Sequence, residues 1–132
     1  MSQLYPKGKK KILDGDIALL TDDIIVLMID TADETYNAAD EFHSDLTGAG
    51  IVATSGNLAG KTTTDGVFDA DNIQITSVSG DSVEALVICQ WTGVSGTSPL
   101  IGWMDLAAPY VPTGNNITII WNSSGLFALT DA

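Results

Sequence analysis

The order of apolar and polar residues predicts a chain made mainly of short β-strands. Residues 24–29 are apolar at every position, and residues 82–91 are apolar on both faces. A strand that is apolar on both faces is covered on both, so we expect these two segments to be central in a sheet. Gly80 and Asp81 mark a hairpin turn before the second segment. Further strands are predicted at 17–20, 51–54, 67–68, 72–76, 99–107 and 116–129, the last a hairpin around residues 122–125.

Two short helices are predicted beside these strands. Pro6 suits the first position of a helix and Gly15 the position just beyond its end, which predicts a helix near the N-terminus. Thr31 and Glu34 fit a capping box, and apolar residues recur after them at helical spacing, so residues 31–48 are the main candidate for a second helix. Together the elements predict a mainly β protein. We expect a compact β-sandwich or barrel-like domain of seven or eight short strands with one or two short helices.

The length of 132 residues is sufficient for one domain around a single core. We divide the chain into residues 1–14, a basic N-terminal arm or short helix, and residues 15–132, a single β-rich domain. The longest aliphatic run is far shorter than the ~20 residues needed to cross a bilayer, so no membrane partner is expected. Asp14 and Asp16 interrupt the apolar stretch that a secretory signal would need, so we expect a protein made and kept in the cytoplasm.

Charge is distributed unevenly along the chain. Seventeen Asp and Glu residues stand against five Lys and no Arg, which gives a formal net charge of −12. An acidic surface repels phosphates, and without Arg the usual bidentate phosphate donor is missing, so no nucleic-acid partner is expected. Four of the five lysines lie in one short stretch: Lys7, Lys9, Lys10 and Lys11. They form either a solvated tail or an arm that docks onto an acidic partner surface, such as another copy of this chain.

One short segment is similar to a nucleotide-binding motif. Gly60, Lys61 and Thr62 match the last three positions of a phosphate-binding loop, but Ser55 stands where that loop needs its first glycine. The residues that follow are β-branched and end in a turn, whereas the motif needs the N-terminus of a helix there. The segment therefore predicts a threonine-rich strand or loop.

Other candidate chemistry is sparse. Cys89 lies in an apolar strand, which favours burial over reactivity, and His43 has no Cys or second His at metal-ligand spacing. Asp65, Asp69 and Asp71 form a carboxylate cluster that either holds Ca²⁺ or stabilises turns. We favour turns, because the glycine and closing glutamate of the helix-loop-helix calcium pattern are missing. No serine carries the Gly-x-Ser-x-Gly turn of a hydrolase, so we expect no enzyme, metal or cofactor.

Three sequence runs carry a resemblance to a known family. They are DTAD at 30–33, DGVFDA at 65–70, and SGD at 79–81 with EALV at 84–87. On these runs the chain, from Leu4 to about Trp121, resembles a family of small virion structural proteins encoded by tailed bacteriophages. The resemblance implies a structural role in the phage particle and no catalytic residues. Within it we favour a capsid decoration, or cement, protein in the virion, assembled in the cytoplasm of a bacterial host.

A decoration protein of this kind would bind and stabilise the major capsid protein shell as a trimer. We expect the body to trimerise through apolar strand faces, while residues 2–12 reach onto an acidic capsid surface. The candidate capsid contacts are Lys7, Lys9, Lys10 and Lys11. Three alternatives remain: a tail or fibre-adaptor component, a surface carbohydrate-binding module with an exposed aromatic platform, and a two-carboxylate hydrolase, which would need a cleft with a carboxyl pKa raised toward neutrality. The candidate platform residues are Trp91, Trp103 and Tyr110.

Overall fold

The structure, a computed structural model, describes residues 2–128, and this range contains one α-helix and nine β-strands. In chain order they are β1 (Ser2–Leu4), α1 (Pro6–Leu13), β2 (Ile24–Ile29), β3 (Ile51–Thr54), β4 (Val67–Phe68), β5 (Ile73–Ile75), β6 (Val83–Gln90), β7 (Leu100–Tyr110), β8 (Ile117–Ile119) and β9 (Phe127–Ala128). Short 3-10 turns lie in the connections at His43–Asp45, Gly48–Gly50, Thr64–Gly66 and Ser95–Thr97. Within residues 2–128, no helix has both the length and the apolar character needed to span a membrane.

A five-stranded antiparallel sheet in the order β1-β7-β6-β2-β3 forms the centre of the fold. Strand β6 lies between β7 and β2, with Val87 opposite Trp103 on one side and Leu27 on the other. Strand β2 is buried at all six positions and is paired on both sides, with β6 and β3. The prediction that both apolar segments are central strands is therefore confirmed.

The remaining strands form two small sheets, β4 with β9 and β5 with β8. The prediction of a mainly β protein is thus confirmed, with sheets that are open within residues 2–128 and do not close into a barrel. Nine strands are present in that range where seven or eight were expected. The predicted N-terminal helix is confirmed as α1, with Pro6 at its start and Gly15 at a φ of 83° just beyond its end.

The central sheet separates two hydrophobic cores, because successive side chains of a strand point to opposite faces. Alternate residues of β2 divide between them: Ile24, Val26 and Met28 belong to the first core, and Ile25, Leu27 and Ile29 to the second. The first core also contains Phe68, Ile75 and Ile119 from the small sheets, which therefore cover one face. The second core contains Tyr5, Leu46 and Trp103.

The predicted helix at residues 31–48 is wrong, because this segment forms turns, an isolated β-bridge at Phe42 and the 3-10 turn His43–Asp45, and a second 3-10 turn begins at Gly48. Side-chain oxygens accept its backbone N–H groups in place of helical carbonyls. The Asp45 carboxylate accepts the N–H of Phe42 at 2.9 Å, and the Glu34 carboxylate accepts the N–H of Thr47. The Asp45 bond is local and the Glu34 bond spans 13 residues, and each binds a backbone N–H group that a continuous helix would use. Apolar spacing alone therefore predicts the wrong element here.

The predicted strand at residues 17–20 is also wrong, because these residues lead into a turn. The N–H of Ala18 donates to the Asp22 carboxylate at 2.8 Å, and the N–H of Asp22 donates back to the Ala18 carbonyl at 2.8 Å. Two hydrogen bonds between the same residues close the chain into a turn that a strand could not form.

Both predicted hairpins are wrong in their strand pairing, although turns occur at both places. Gly80 has a φ of 118°, and the N–H of Gly125 donates to the Asn122 carbonyl at 2.9 Å. However, β5 pairs with β8 and β4 pairs with β9, so the strands on either side of each turn are not partners. A turn signal indicates where the chain reverses, but the packing of the first core decides which strands meet.

Candidate functional site

The lysine-rich helix α1 is fixed to the central sheet. The preceding strand β1 pairs with β7, and the N–H of Tyr5 donates to the Ile101 carbonyl at 2.9 Å. Gly8 is the buried residue of α1, and a Cβ at this position would overlap the carbonyl oxygen of Leu100. The glycine therefore allows the helix to lie directly on the backbone of β7. Its lysines project from a fixed base.

Three of the four candidate contact lysines are bound within the chain. Lys7 donates to the Ala39 carbonyl at 2.9 Å, and Lys10 forms an exposed ion pair with Asp14 one helical turn away. This hydrogen bond to the carboxylate raises the pKa of Lys10.

Lys11 makes the most buried of these contacts. Its ammonium lies 3.0 Å from the Glu41 carboxylate and 5.2 Å from the centre of the Phe42 ring. Lys7 and Lys11 thus hold α1 against the acidic segment at residues 39–41, which is part of the same chain. The capsid-contact role predicted for these two lysines would require that these contacts be exchanged for new ones.

Lys9 is the lysine of α1 with no ion pair or hydrogen bond among residues 2–128. It is exposed and lies at the edge of a groove of about 540 Å³. The groove is mostly apolar, and Leu13 beside it is 75 % exposed. Its other lining residues include Leu4, Trp103, Met104 and Phe127. An available cation next to an apolar groove is suited to contact with another macromolecule.

The segment with the Gly60-Lys61-Thr62 sequence forms a loop, as predicted. The Lys61 ammonium donates to the Asp22 carbonyl and to the Asn57 side-chain oxygen. The N–H of Thr62 donates to the Asp69 carbonyl at 2.9 Å. The groups that would hold phosphate in a nucleotide-binding loop are used here to connect parts of this chain.

Of the aspartates at 65, 69 and 71, only Asp65 lies in a turn, the 3-10 turn Thr64–Gly66, whereas Asp69 forms an isolated β-bridge with Thr62. Asp65 adopts a φ of 53°, and the Asp69 carboxylate accepts the N–H of Ala70 at 2.8 Å. In the described part of the chain, the group of three carboxylates whose oxygens lie within 4.8 Å of one another is a different set: Asp30, Asp33 and Asp81. The structure therefore does not bring the predicted cluster together. Asp30 itself is buried and accepts the N–H of Ala32 at 2.9 Å.

The three tryptophans differ in their exposure. Trp103 and Trp121 are buried, and each indole N–H is bonded, to the Asp105 carboxylate and to the Asp71 carbonyl. The prediction that Trp103 forms an exposed aromatic platform is therefore wrong. Tyr110 is half-buried against the first core.

Trp91 is half-buried and lines a hollow of about 550 Å³ with Asp23, His43 and Asn57. The His43 ring lies 5.4 Å from the Trp91 ring, and burial lowers the pKa of His43. Its imidazole is therefore neutral at pH 7 and offers one donor and one acceptor. Cys89 is fully buried, as predicted, and burial raises the pKa of its thiol to about 12.

The sequence does not predict the apolar groove, because its walls come from β1, α1, β6, β7 and β9, most of which are distant from one another in the sequence. In comparisons with known proteins, no protein-family model and no curated protein matches this chain. The resemblance to phage virion proteins therefore stays a prediction from the sequence.

Proposed function

We propose that this protein is a non-enzymatic structural protein of a tailed-phage virion. Within that class we favour a capsid decoration protein that binds and stabilises the shell of the major capsid protein as a trimer. The observation that supports it best is the separation of charge. Helix α1 carries four of the five lysines and no carboxylate, on a chain of net charge −12.

This separation of charge favours a protein that is bound by neighbouring subunits in a larger assembly. The strong net negative charge keeps free copies soluble and apart before assembly. The fixed cationic helix then offers a localised positive surface to an acidic region of the shell. Among its lysines, Lys9 is the principal candidate contact, because Lys7, Lys10 and Lys11 already have partners within the chain. A partner that contacts Lys9 would also lie against the apolar groove beside it.

Retention on isolated shells tests the capsid role. Purified protein is added to expanded shells that lack it, and bound protein is measured after sedimentation. We expect the wild type to co-sediment, and Lys9→Glu to lower its affinity at least about tenfold. The control is Lys61→Glu, which makes the same change of charge away from α1. Equal loss with both variants would exclude a specific role for the helix.

Location in the intact particle separates the head from the tail. Cryo-microscopy of virions with and without the protein should show its density on the outer shell. Density on the tail or at a fibre attachment point would instead support the adaptor alternative. Absence from the particle would refute both structural roles.

A carbohydrate-binding role is a second candidate, supported by the hollow at Trp91. An aromatic ring, a carboxylate, an amide and a neutral imidazole line the same hollow, and such groups together bind the apolar faces and hydroxyls of sugars. Titration with N-acetylglucosamine, galactose and rhamnose, followed by tryptophan fluorescence, tests this role. Binding that is lost in Trp91→Ala would support it, and no response to the three sugars would count against it.

A further inference from the structure

The loop at residues 37–45 covers one face of the lysine helix α1. It contains no lysine, and its acidic residues are Asp40, Glu41 and Asp45. The Lys11 ammonium lies 3.0 Å from the Glu41 carboxylate, and Lys7 donates to the Ala39 carbonyl at 2.9 Å. Lys7 and Lys11 are one helical turn apart, so they project from the same face of α1. That face is therefore in contact with an acidic part of the same chain.

The loop is fixed to the strand on which α1 lies. The N–H of Leu100 donates to the Glu41 carbonyl at 2.9 Å, and the N–H of His43 donates to the Ser98 carbonyl at 2.8 Å. Helix α1 contacts the same place, because Gly8 lies directly against the Leu100 backbone. The loop and the helix thus share one support, and the fold itself brings Glu41 beside Lys11.

Turns within the loop position the groups that the two lysines contact. The Asn37 side-chain oxygen accepts the N–H of Ala39 at 3.0 Å. The Asp45 carboxylate accepts the N–H groups of Glu41 and Phe42, each at 2.9 Å. Bonds of this kind fix the backbone of a turn. The Ala39 carbonyl and the Glu41 side chain therefore lie between two fixed turns.

The other two carboxylates of the loop also interact with a lysine of α1. Burial raises the pKa of Asp40, and the positive charge of Lys7 opposes this shift. Backbone hydrogen bonds lower the pKa of Asp45, and the charge of Lys7 acts in the same direction. All three carboxylates of the loop therefore lie close to lysines on one face of the helix.

An acidic partner surface would need the same face of α1. A carboxylate of the partner that bound Lys11 would take the place of the Glu41 carboxylate, and an acceptor for Lys7 would take the place of the Ala39 carbonyl. The loop thus presents to the helix the same groups that an acidic polypeptide would present, which are carboxylates and a backbone carbonyl. Lys9 lies two positions from each of these lysines and projects from another face, where it is exposed.

We propose that the 37–45 loop is an autoinhibitory contact, which occupies the Lys7–Lys11 face of α1 and competes for it with an acidic polypeptide surface. The identity of that surface as the phage shell rests on the proposed function, whereas the competition is a property of this chain. In the free protein Lys9 is available to a partner, but Lys11 binds one only by leaving Glu41. Because each copy is strongly acidic, the contact also restrains α1 of one copy from binding the body of another.

Titration of the full isotope-labelled chain with a glutamate hexapeptide at low salt, followed by NMR, tests the proposal. We expect Glu41→Gln to bind the peptide about twofold to fivefold more tightly than the wild type, because the Lys11 ammonium is then released. The gain should disappear in the double variant Lys11→Gln/Glu41→Gln, since the released lysine is missing there.

The control is Asp81→Asn, which removes the same charge as Glu41→Gln. Asp81 precedes β6 at the end of that strand away from α1, because Cys89 near the other end pairs with Leu100. This variant should bind the peptide as the wild type does. The amide spectrum of each variant also shows whether it keeps its fold. If Glu41→Gln misfolds, Glu41→Asp takes its place, because the shorter side chain withdraws the carboxylate from Lys11 without a change of net charge.

The proposal would be overturned if Glu41→Gln bound the peptide no more tightly than the wild type, or if the gain persisted in the double variant. An equal gain in Asp81→Asn, or no binding of the peptide by any variant, would overturn it as well. The shell-retention assay separates these results from the capsid role. Tighter peptide binding by Glu41→Gln without retention of any variant on shells would support the autoinhibitory contact and refute the decoration role. Retention of the wild type on shells, with unchanged peptide affinity in Glu41→Gln, would refute the autoinhibitory contact and support the decoration role.

Discussion

Gly8 of α1 lies against the Leu100 backbone so closely that a Cβ at position 8 would overlap the Leu100 carbonyl oxygen. Alanine is favoured over glycine in a helix interior by about 1 kcal/mol. Gly8→Ala should nevertheless lower the free energy of unfolding by about 1–3 kcal/mol, because backbone atoms must move to accept the methyl group. Urea unfolding followed by tryptophan fluorescence measures this change.

Gly48→Ala is the matched control for Gly8→Ala. No atom lies within 4 Å of a Cβ built at Gly48, so the change should stay within about 0.5 kcal/mol. If Gly8→Ala were as stable as the wild type, the helix would not be held against β7 as described. Its lysines would then behave as a mobile arm.

The sequence predicted the buried strands and the first helix well, because their signals are local and strong. Strand β2 is apolar at every position, and Pro6 and Gly15 mark the two ends of α1. Residues 31–48 were predicted wrongly, because the partners of Glu34 and Asp45 depend on how the loop folds. The pairing of β5 with β8 joins segments about 40 residues apart, and no nearby pattern encodes it.

The candidate site was predictable only in part. The cluster of lysines is plain in the sequence, but their partners are not, because the Lys11–Glu41 pair joins residues 30 positions apart.

The Tyr5 hydroxyl is buried with no hydrogen-bond partner among residues 2–128. Burial raises the pKa of this group, so the phenol stays neutral at all ordinary pH values. An unpaired buried hydroxyl carries an uncompensated desolvation cost. Tyr5→Phe should therefore raise the free energy of unfolding by about 1 kcal/mol, measured by urea unfolding.

Tyr36→Phe provides the comparison, because the two rings lie 5.0 Å apart but the Tyr36 hydroxyl donates to the Leu4 carbonyl at 3.3 Å. We expect this change to destabilise by about 0.5–1 kcal/mol. A destabilised Tyr5→Phe variant would mean that the Tyr5 hydroxyl has a partner, such as a buried water.

Asp45 should make stability depend on pH in the acid range. Hydrogen bonds from the N–H groups of Phe42 and Glu41 lower the pKa of Asp45 below its ordinary value of 3.8. The stabilisation is therefore complete above that value and is lost as the pH falls through the lower folded pKa. At pH 7, Asp45→Ala should cost about 0.5–1 kcal/mol, a small amount because the side chain is exposed to solvent.

Unfolding measured between pH 7 and pH 2 tests the Asp45 prediction. The gap between wild type and Asp45→Ala should narrow at acid pH. Asp16→Ala serves as control, because Asp16 is exposed and its side chain has no hydrogen bond within the described part of the chain. A gap that stays constant with pH would show that the Asp45 carboxylate does not supply this stabilisation.

The ion pair between Lys11 and Glu41 should contribute to stability, which would distinguish Lys11, a lysine that stabilises the fold, from Lys9, which is available to a partner. The ammonium and carboxylate are 3.0 Å apart, with side chains 21 % and 33 % exposed. A double-mutant cycle of Lys11→Gln and Glu41→Gln should give a coupling of about 0.5–1 kcal/mol that weakens with added salt.

On isolated shells, Lys9→Gln should lower retention more than Lys11→Gln does, because the Lys11 ammonium is already bound to Glu41 and the Lys9 ammonium has no partner among residues 2–128. Both substitutions remove one positive charge from the same helix. A difference in shell retention between them would therefore come from the position of the lysine and not from the net charge. A zero coupling energy together with equal losses of retention would mean that Lys11 leaves Glu41 freely. The helix would then bind through all of its lysines at once.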